Sequence, residues 1–406
     1  MWSRSIKEHL SKKIIGISAS VTKISSGVIS ALWTFPSIIF AAMVLAWAAE
    51  AAQFLISQGM ALAILAWLQT LPEFAVEAVI AWEAAKDPDK IHLITANFTG
   101  SLRLLVGLGW PMIYAVAAFY HRRKNKGTPL KEIFIEEEHS VEVAGLILPI
   151  AYFIFIYIKG TLNLADSLIL SSFYFVYLFI INKIPPKDRE ETEETEDMEY
   201  IPRKILESKK GVRNAAIISL FLTGGIIIYL VAEPFLHSML ALATTIGISQ
   251  FVFVQWVSPF LSEFPEKVSA FYWAKKITKA PMALMNMVSS NINQWTMLAA
   301  MLPVVYSIGR GKISFIVFDP HQKEEILLTI AQSIMGLIFL SNMRLSWYEA
   351  SGLFSLWLTQ FLVPSIRIEI TWIYFLWIGI ELLLVIFKIR TVQSLKIFLE
   401  LCKKHF

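Results

Sequence analysis

The sequence is poor in charge and has almost no cysteine. Lysine, arginine, aspartate and glutamate make up 17% of its 406 residues, against about 25% in an ordinary soluble domain. With a net charge of only +4, that shortage excludes a disordered or nucleic-acid-binding chain and argues against a soluble globular enzyme. The one cysteine, Cys402, lies in a basic C-terminal tail and leaves no intrachain disulfide. None of the seven histidines has metal-ligand spacing to another. No His-Glu-x-x-His, Gly-x-Ser-x-Gly or paired-aspartate motif of membrane hydrolases occurs. Residues 1–13 are polar and basic, but 14–33 is too long and too polar for a signal-peptide core and no small-residue cleavage site is evident. The segment therefore reads as retained.

What is present is apolar. Hydrophobic residues are 56% of the chain, gathered in long runs that mark an all-α polytopic membrane protein. Runs at 35–56, 60–85, 91–120, 143–158, 166–181, 215–242, 248–274, 282–308, 326–343, 350–363 and 370–387 read as spans, and 14–33 as a further crossing or an interfacial helix. The 13 tryptophans read as packing and interface belts. Between 183 and 213 a Pro185-Pro186 pair, an acidic run from Asp188 to Glu199 and then Arg203, Lys204, Lys209 and Lys210 read as a solvated linker. The chain divides into a basic segment with a possible extra helix (1–33), a first repeat half (34–182), the charged linker (183–213), a second repeat half (214–366) and an extra C-terminal helix with a basic tail (367–406). The basic stretches at 121–131, 183–213 and 275–279 and after 388 all face the cytoplasm if Phe35 begins outside.

The halves repeat each other. Tyr120 through Ile133-Phe134-Ile135 to His139 is matched by Tyr306 through Phe315-Ile316-Val317 to His321. Each half carries a Pro-Glu pair inside an apolar run: Gln69-Thr70-Leu71-Pro72-Glu73 and Ser262-Glu263-Phe264-Pro265-Glu266. About one span later each has an Asn followed by small polar residues: Asn97 to Ser101, and Asn286 to Asn291. Halves of five spans insert with opposite orientation, so two inverted five-helix repeats, ten core helices plus one or two extra, are expected, with a site where broken helices meet. Pro72 and Pro265 lack an amide donor and break the helix there.

Glu73, Glu77, Glu263 and Glu266 lie in apolar surroundings, where an isolated charge costs roughly 2.5 kcal/mol or more. Glu73/Glu77 at i,i+4 and Glu263/Glu266 at i,i+3 each share a helix face. Converging, they have to protonate or bind a cation. Thr70, Ser101, Ser262 and Ser290, with the amides Gln69, Asn97, Asn286, Asn291 and Gln294, complete an oxygen-rich set that suits calcium or sodium rather than zinc or copper. A single intramembrane glutamate can be a protonated structural residue; matched Pro-Glu motifs argue against that for Glu73 and Glu266, and less strongly for Glu77 and Glu263. Glu50, Glu233 and Glu381 are lone charges of open role. Arg103, mid-span, is expected to pair with a site glutamate and lower the number of cations held.

These motifs resemble the calcium/cation antiporter superfamily, sodium/calcium exchanger type. Leu71-Pro72-Glu73 and Phe264-Pro265-Glu266 match one family stretch, Asn97–Ser101 and Asn286–Asn291 the other, and Ile246-Gly247-Ile248-Ser249 also fits. Glu263 replaces a family serine, and Leu105 and Gln294 stand where the family has Asn or Asp. The resemblance implies Glu73 and Glu266 as central ligands, with Gln69, Thr70, Ser262, Ser101 and Ser290 at hydroxyl or backbone ligand positions. The expected function is therefore a non-enzymatic antiporter moving Ca2+ against Na+ or H+ by alternating access. Its partners would be inorganic cations and the bilayer, with no organic cofactor and no nucleic acid. Short loops and the lack of an organelle signal suggest a prokaryotic plasma membrane. Two alternatives stay open: a proton-coupled exchanger of another cation, and a non-transporting member whose site Arg103 fills.

Overall fold

A computed structural model describes residues 2–52, 70–183 and 199–406, with side chains from Gly27 onward. Gln69 and most of the acidic run therefore lie outside the described residues. The chain is helical, as its apolar runs require. Helix α1 (Trp2–Ala52) is followed by α2 (Leu71–Lys86), α3 (Ile91–Leu104), a π turn (Leu105–Gly109) and α4 (Trp110–Lys124). Strand β1 (Glu132–Phe134), α5 (Ser140–Gly145), α6 (Ile147–Lys159), β2 (Thr161–Leu162) and α7 (Leu164–Lys183) complete the first half. After the short α8 (Tyr200–Leu206), the second half runs α9 (Lys210–Ile246), α10 (Gln250–Ser262), α11 (Phe264–Lys275), α12 (Ala280–Asn293), a second π turn (Gln294–Leu298) and α13 (Ala299–Arg310). It ends with β3 (Ile316–Val317), α14 (Pro320–Leu340), β4 (Arg344–Ser346) and α15 (Trp347–Leu362). Helices α16 (Arg367–Ile386) and α17 (Ser394–His405) follow.

The repeat is visible in three dimensions. Each half has a helix starting on Pro-Glu, then a helix interrupted by a five-residue π turn at the matching place. The strands, not anticipated in an all-helical reading, stitch the halves together. β1 pairs antiparallel with β4, and β2 with β3. Since β1 corresponds to β3 and β2 to β4 in the repeat, each ladder joins a first-half strand to the non-equivalent strand of the second half. The single crossing α5–α6 separates β1 from β2, so the ladders stand at opposite ends of the bundle and the halves are inverted. The basic ends of α4 and α11 adjoin each other at one end, with Tyr120 and Lys124 beside Lys275 and Lys276.

Among the described residues, six helical stretches are by themselves long and apolar enough to cross a bilayer: Gly27–Ala52, Pro88–Lys124, Glu137–Lys159, Leu164–Lys183, Lys210–Ile246 and Pro364–Ile386. The run at 248–274 falls short because the chain breaks at Glu263, and that at 282–308 because its continuous helix turns polar from Asn286 to Gln294, which is where candidate site residues lie. The run at 14–33 is not a separate crossing. Helix α1 passes through Trp33, Thr34, Phe35 and Pro36 without a turn, and a chain that does not turn cannot cross back. Outward residues such as Leu222, Tyr229, Trp372 and Leu376 are exposed and apolar, whereas much of the buried interior is polar. That is the pattern of a chain solvated by lipid.

Two contacts fix the layers. α1 and α9 pack along most of their lengths through small residues, with Ala41 and Leu45 against Gly224 and Ser30 hydrogen-bonded to Ser238 at 2.6 Å. Small residues permit this approach where lipid offers no hydrophobic drive. α3 and α10 come closer still: a Cβ on Gly100 would lie 1.8 Å from the Gln255 carbonyl oxygen. Gly100→Ala should therefore destabilise the protein by about 1–3 kcal/mol or prevent its folding, since backbone must move. Gly225→Ala, with nothing within 4 Å, should be neutral or stabilising by up to about 1 kcal/mol. Thermal unfolding of the two variants in detergent compares them directly.

Candidate functional site

The site forms where α2 and α11 begin. Both carry proline in their first turn followed by glutamate, and Pro265 cannot donate to the Leu261 carbonyl one turn back, which separates α10 from α11 at Glu263. Glu73, Glu77, Glu263 and Glu266 are all at most 1% exposed. Glu73 lies within charge-repulsion range of the other three, and of Glu263 most strongly.

The second motif of each half supplies the donors. The Ser101 hydroxyl touches both Glu73 and Glu263. Gln294 Nε2 donates to Glu73 Oε2 at 2.8 Å and to Glu263 Oε1 at 3.1 Å. Asn97 donates to Glu77, and Asn293 to the Thr70 hydroxyl at 2.6 Å. Ser101 has one proton for two carboxylates, so the cluster is not balanced by its own donors. Glu266 adjoins Ser290 without a well-formed hydrogen bond to either oxygen, and both polar atoms of the Asn291 amide are buried without a partner among the described residues. Asn286 is buried one turn before Ser290. The structure thus brings together most of the residues singled out in the sequence. Ser262 is buried beside Glu263, its hydroxyl proton donated to the Ser258 carbonyl of its own helix at 3.0 Å and its oxygen lone pairs left free to accept. The π turns open at Leu105 and Gln294, and such turns gather at functional sites; here one aims Gln294 between the halves.

Arg103 is not where the sequence reading put it. It does not join the site glutamates and does not fill the site. Its guanidinium turns to the opposite side of α3, donating to Glu325 of α14 at 2.5 Å and to Gln360 of α15 at 2.8 Å. Arg367 of α16 bonds the other Glu325 oxygen, and Gln255 of α10 donates to Glu325 at 2.8 Å. Trp256 lies beneath both guanidinium groups, 5.2 Å from that of Arg103 and 5.9 Å from that of Arg367. Gln332 and Gln360 complete this buried network, which joins five helices.

The cation that does enter the site is Lys267, which the sequence reading passed over. Its Nζ stands 2.5 Å from Glu263 Oε2. The signal was there, because Lys267 lies four residues after Glu263, the favoured order for a helical ion pair. Glu325 and Arg367 left no comparable local trace. Of the lone charges, Glu381 pairs with Arg390 and Glu50 accepts the Glu199 backbone N–H, while Glu233 is largely exposed.

Comparison with known proteins agrees with this geometry. The family model described as "Sodium/calcium exchanger protein" matches residues 25–182 and 216–365. Among solved structures, the H+/Ca2+ exchanger CAX is similar over 93% of this chain and 92% of its own, with 31% identity and a TM-score of 0.83. The sodium-calcium exchanger NCX_Mj, soaked with Na+ and Sr2+, shares the fold at 17% identity and a TM-score of 0.53, covering 84% of this chain and 99% of its own. No curated protein sequence matches the chain.

The Arg103 network makes a separable prediction. Arg103→Ala should cost about 3–5 kcal/mol, because it strands part of a buried carboxylate's charge. A double variant with Arg103→Leu and Glu325→Leu should be less destabilised than the sum of its single variants. Thermal midpoints of the four proteins in detergent give the coupling, and strict additivity would show that the pair contributes nothing jointly.

Proposed function

The chain belongs to the sodium/calcium exchanger family, and from that premise we propose that it is a secondary active antiporter moving calcium across the membrane against protons or sodium. The observation that carries the proposal is the pair Glu73 and Glu266. Each is buried in the first turn of a proline-started helix, in opposite halves of an inverted repeat, and no ion pair to either is formed among the described residues. Carboxylates so placed call for a cation or protons. Calcium takes six to eight oxygen ligands in flexible geometry, and the surroundings are carboxylates, hydroxyls and amide oxygens.

In this reading Glu73 and Glu266 hold the divalent ion. Thr70, Ser101, Asn97, Asn286, Ser290, Asn291 and Gln294 supply or position further oxygens, and Glu77 and Glu263 set the local charge. Coupling follows from competition, because protons or sodium that neutralise the same carboxylates displace calcium, so a site holding both at once could not exchange them. Access alternates as the packed pair α1 and α9 shifts against the helices that carry the carboxylates. The surplus of carboxylates, with the likeness to an H+/Ca2+ exchanger, favours protons as the counter-ion. The setting we propose is a prokaryotic plasma membrane.

Purified protein in sealed vesicles should take up labelled calcium when an outward proton or sodium gradient is imposed, and should stop when the gradient is collapsed. Correctly inserted protein that takes up none under either gradient would sink the proposal. Glu73→Gln and Glu266→Gln should each reduce exchange to background, while folding to the same elution profile as the parent. Full exchange in either variant would refute the ligand assignment.

A further inference from the structure

The site contains a fixed cation that antiport as described does not use. Lys267 follows Glu266 directly in the first turn of α11 and is only 6% exposed. Its ammonium meets Glu263 Oε2 at 2.5 Å across the break between α10 and α11. The same two residues are tied by backbone, the Lys267 N–H donating to the Glu263 carbonyl at 3.2 Å. The other Glu263 oxygen faces the shared donors Ser101 and Gln294, which also hold Glu73. Glu263 is thus inside the oxygen cluster, yet its charge is already matched.

The other three carboxylates differ. Glu73 and Glu77 are met by uncharged donors, from Ser101, Gln294 and Asn97. Glu266 feels the Lys267 charge through space but forms no ion pair with it. Arg103 is committed to Glu325. Lys267 is therefore the cation that decides how much negative charge the cluster offers to ions from solution. Tethered one helical turn away, its ammonium stays at Glu263 at a high effective concentration. A dissolved monovalent cation brings the same single charge without the tether and loses that competition. A divalent ion between Glu73 and Glu266 need not displace Lys267 at all.

We propose that Lys267 is a resident cation that closes the Glu263 position to dissolved monovalent cations, sodium in particular, and so biases the carrier toward divalent substrates. This rests on the antiporter reading of the same site. It makes Lys267 a specificity-determining residue, acting by occupying Glu263 and not by binding calcium.

The test uses the full-length protein, in vesicles for calcium uptake and in detergent for thermal midpoints, with sodium chloride compared against choline chloride at constant ionic strength. Wild type should be stabilised by calcium, and by sodium less strongly than the Lys267 variants are. Lys267→Met and Lys267→Gln, which open Glu263, should gain stabilisation by sodium, and sodium should inhibit their calcium uptake at concentrations about tenfold or more below those needed for wild type. Lys267→Arg should respond as wild type does. The double variant Glu263→Gln with Lys267→Met, which removes both charges, should lose the acquired sodium response. Sodium stabilisation of wild type as strong as that of Lys267→Met overturns the proposal, and Lys267→Gln serves in the same comparison if Lys267→Met fails to fold. An unaltered sodium response in folded, calcium-binding Lys267→Met overturns it equally. If wild type carries no calcium but Lys267→Met alone acquires sodium stabilisation, transport is refuted while the role of Lys267 stands.

Discussion

A charge placed among apolar helices in lipid has to be neutralised by something, and the interior of this protein is organised around that requirement. Arg103 and Arg367 close on Glu325, Arg390 on Glu349 and Glu381, Lys159 on Asp166, and Lys267 on Glu263. Each of these is a fixed pair joining two or more segments, and several reach across the repeat boundary or out to the C-terminal helix. Among the described residues, matching the buried acids with their bases leaves Glu50, Glu73, Glu77 and Glu266 over, and the last three lie together. What marks the site is thus a deficit of fixed positive charge more than an abundance of glutamate.

The inverted repeat creates that deficit in a place where both halves contribute. Ser101 of the first half reaches Glu263 of the second, and Gln294 of the second reaches Glu73 of the first. The symmetry is broken in the chemistry and kept in the backbone. Leu105 and Gln294 both open a π turn, but only Gln294 carries a polar group. Thr70 and Glu263 occupy matching positions ahead of the proline, and Lys267 stands where the first half has Phe74. The second half therefore supplies both the additional acid and the base that satisfies it.

How far this could be read from sequence follows from the range of each signal. The Pro-Glu breaks and the Asn/Ser clusters were legible because proline chemistry and helical spacing act within a few residues. The two halves were legible because their motifs recur in order. Arg103 was misassigned because its partner, Glu325, is 222 residues away on a helix whose approach only the packing sets. Lys267 is within reach of local spacing, four residues after Glu263, although it directly adjoins a second acid, Glu266. The strand ladders left no trace, being two or three residues long and dependent on a partner from the other half. Residues 14–33 were ambiguous because composition alone does not reveal whether the chain turns after Trp33.

The approach of Gly100 to Gln255 bears on how such a machine can be assembled from moving parts. With no side chain between them, the two backbones leave no room for either helix to advance a residue past the other, and Gln255 is also bonded to Thr99 and Glu325. The contact behaves as a weld. It ties α3, α10 and α14 into one unit, which in the proposed exchange would be the stationary frame. The α1 and α9 pair, held to each other through alanine, serine and glycine, lies outside that weld and is the carriage of the motion proposed above. A single methyl group at position 100 would therefore trouble the frame and leave the carriage untouched.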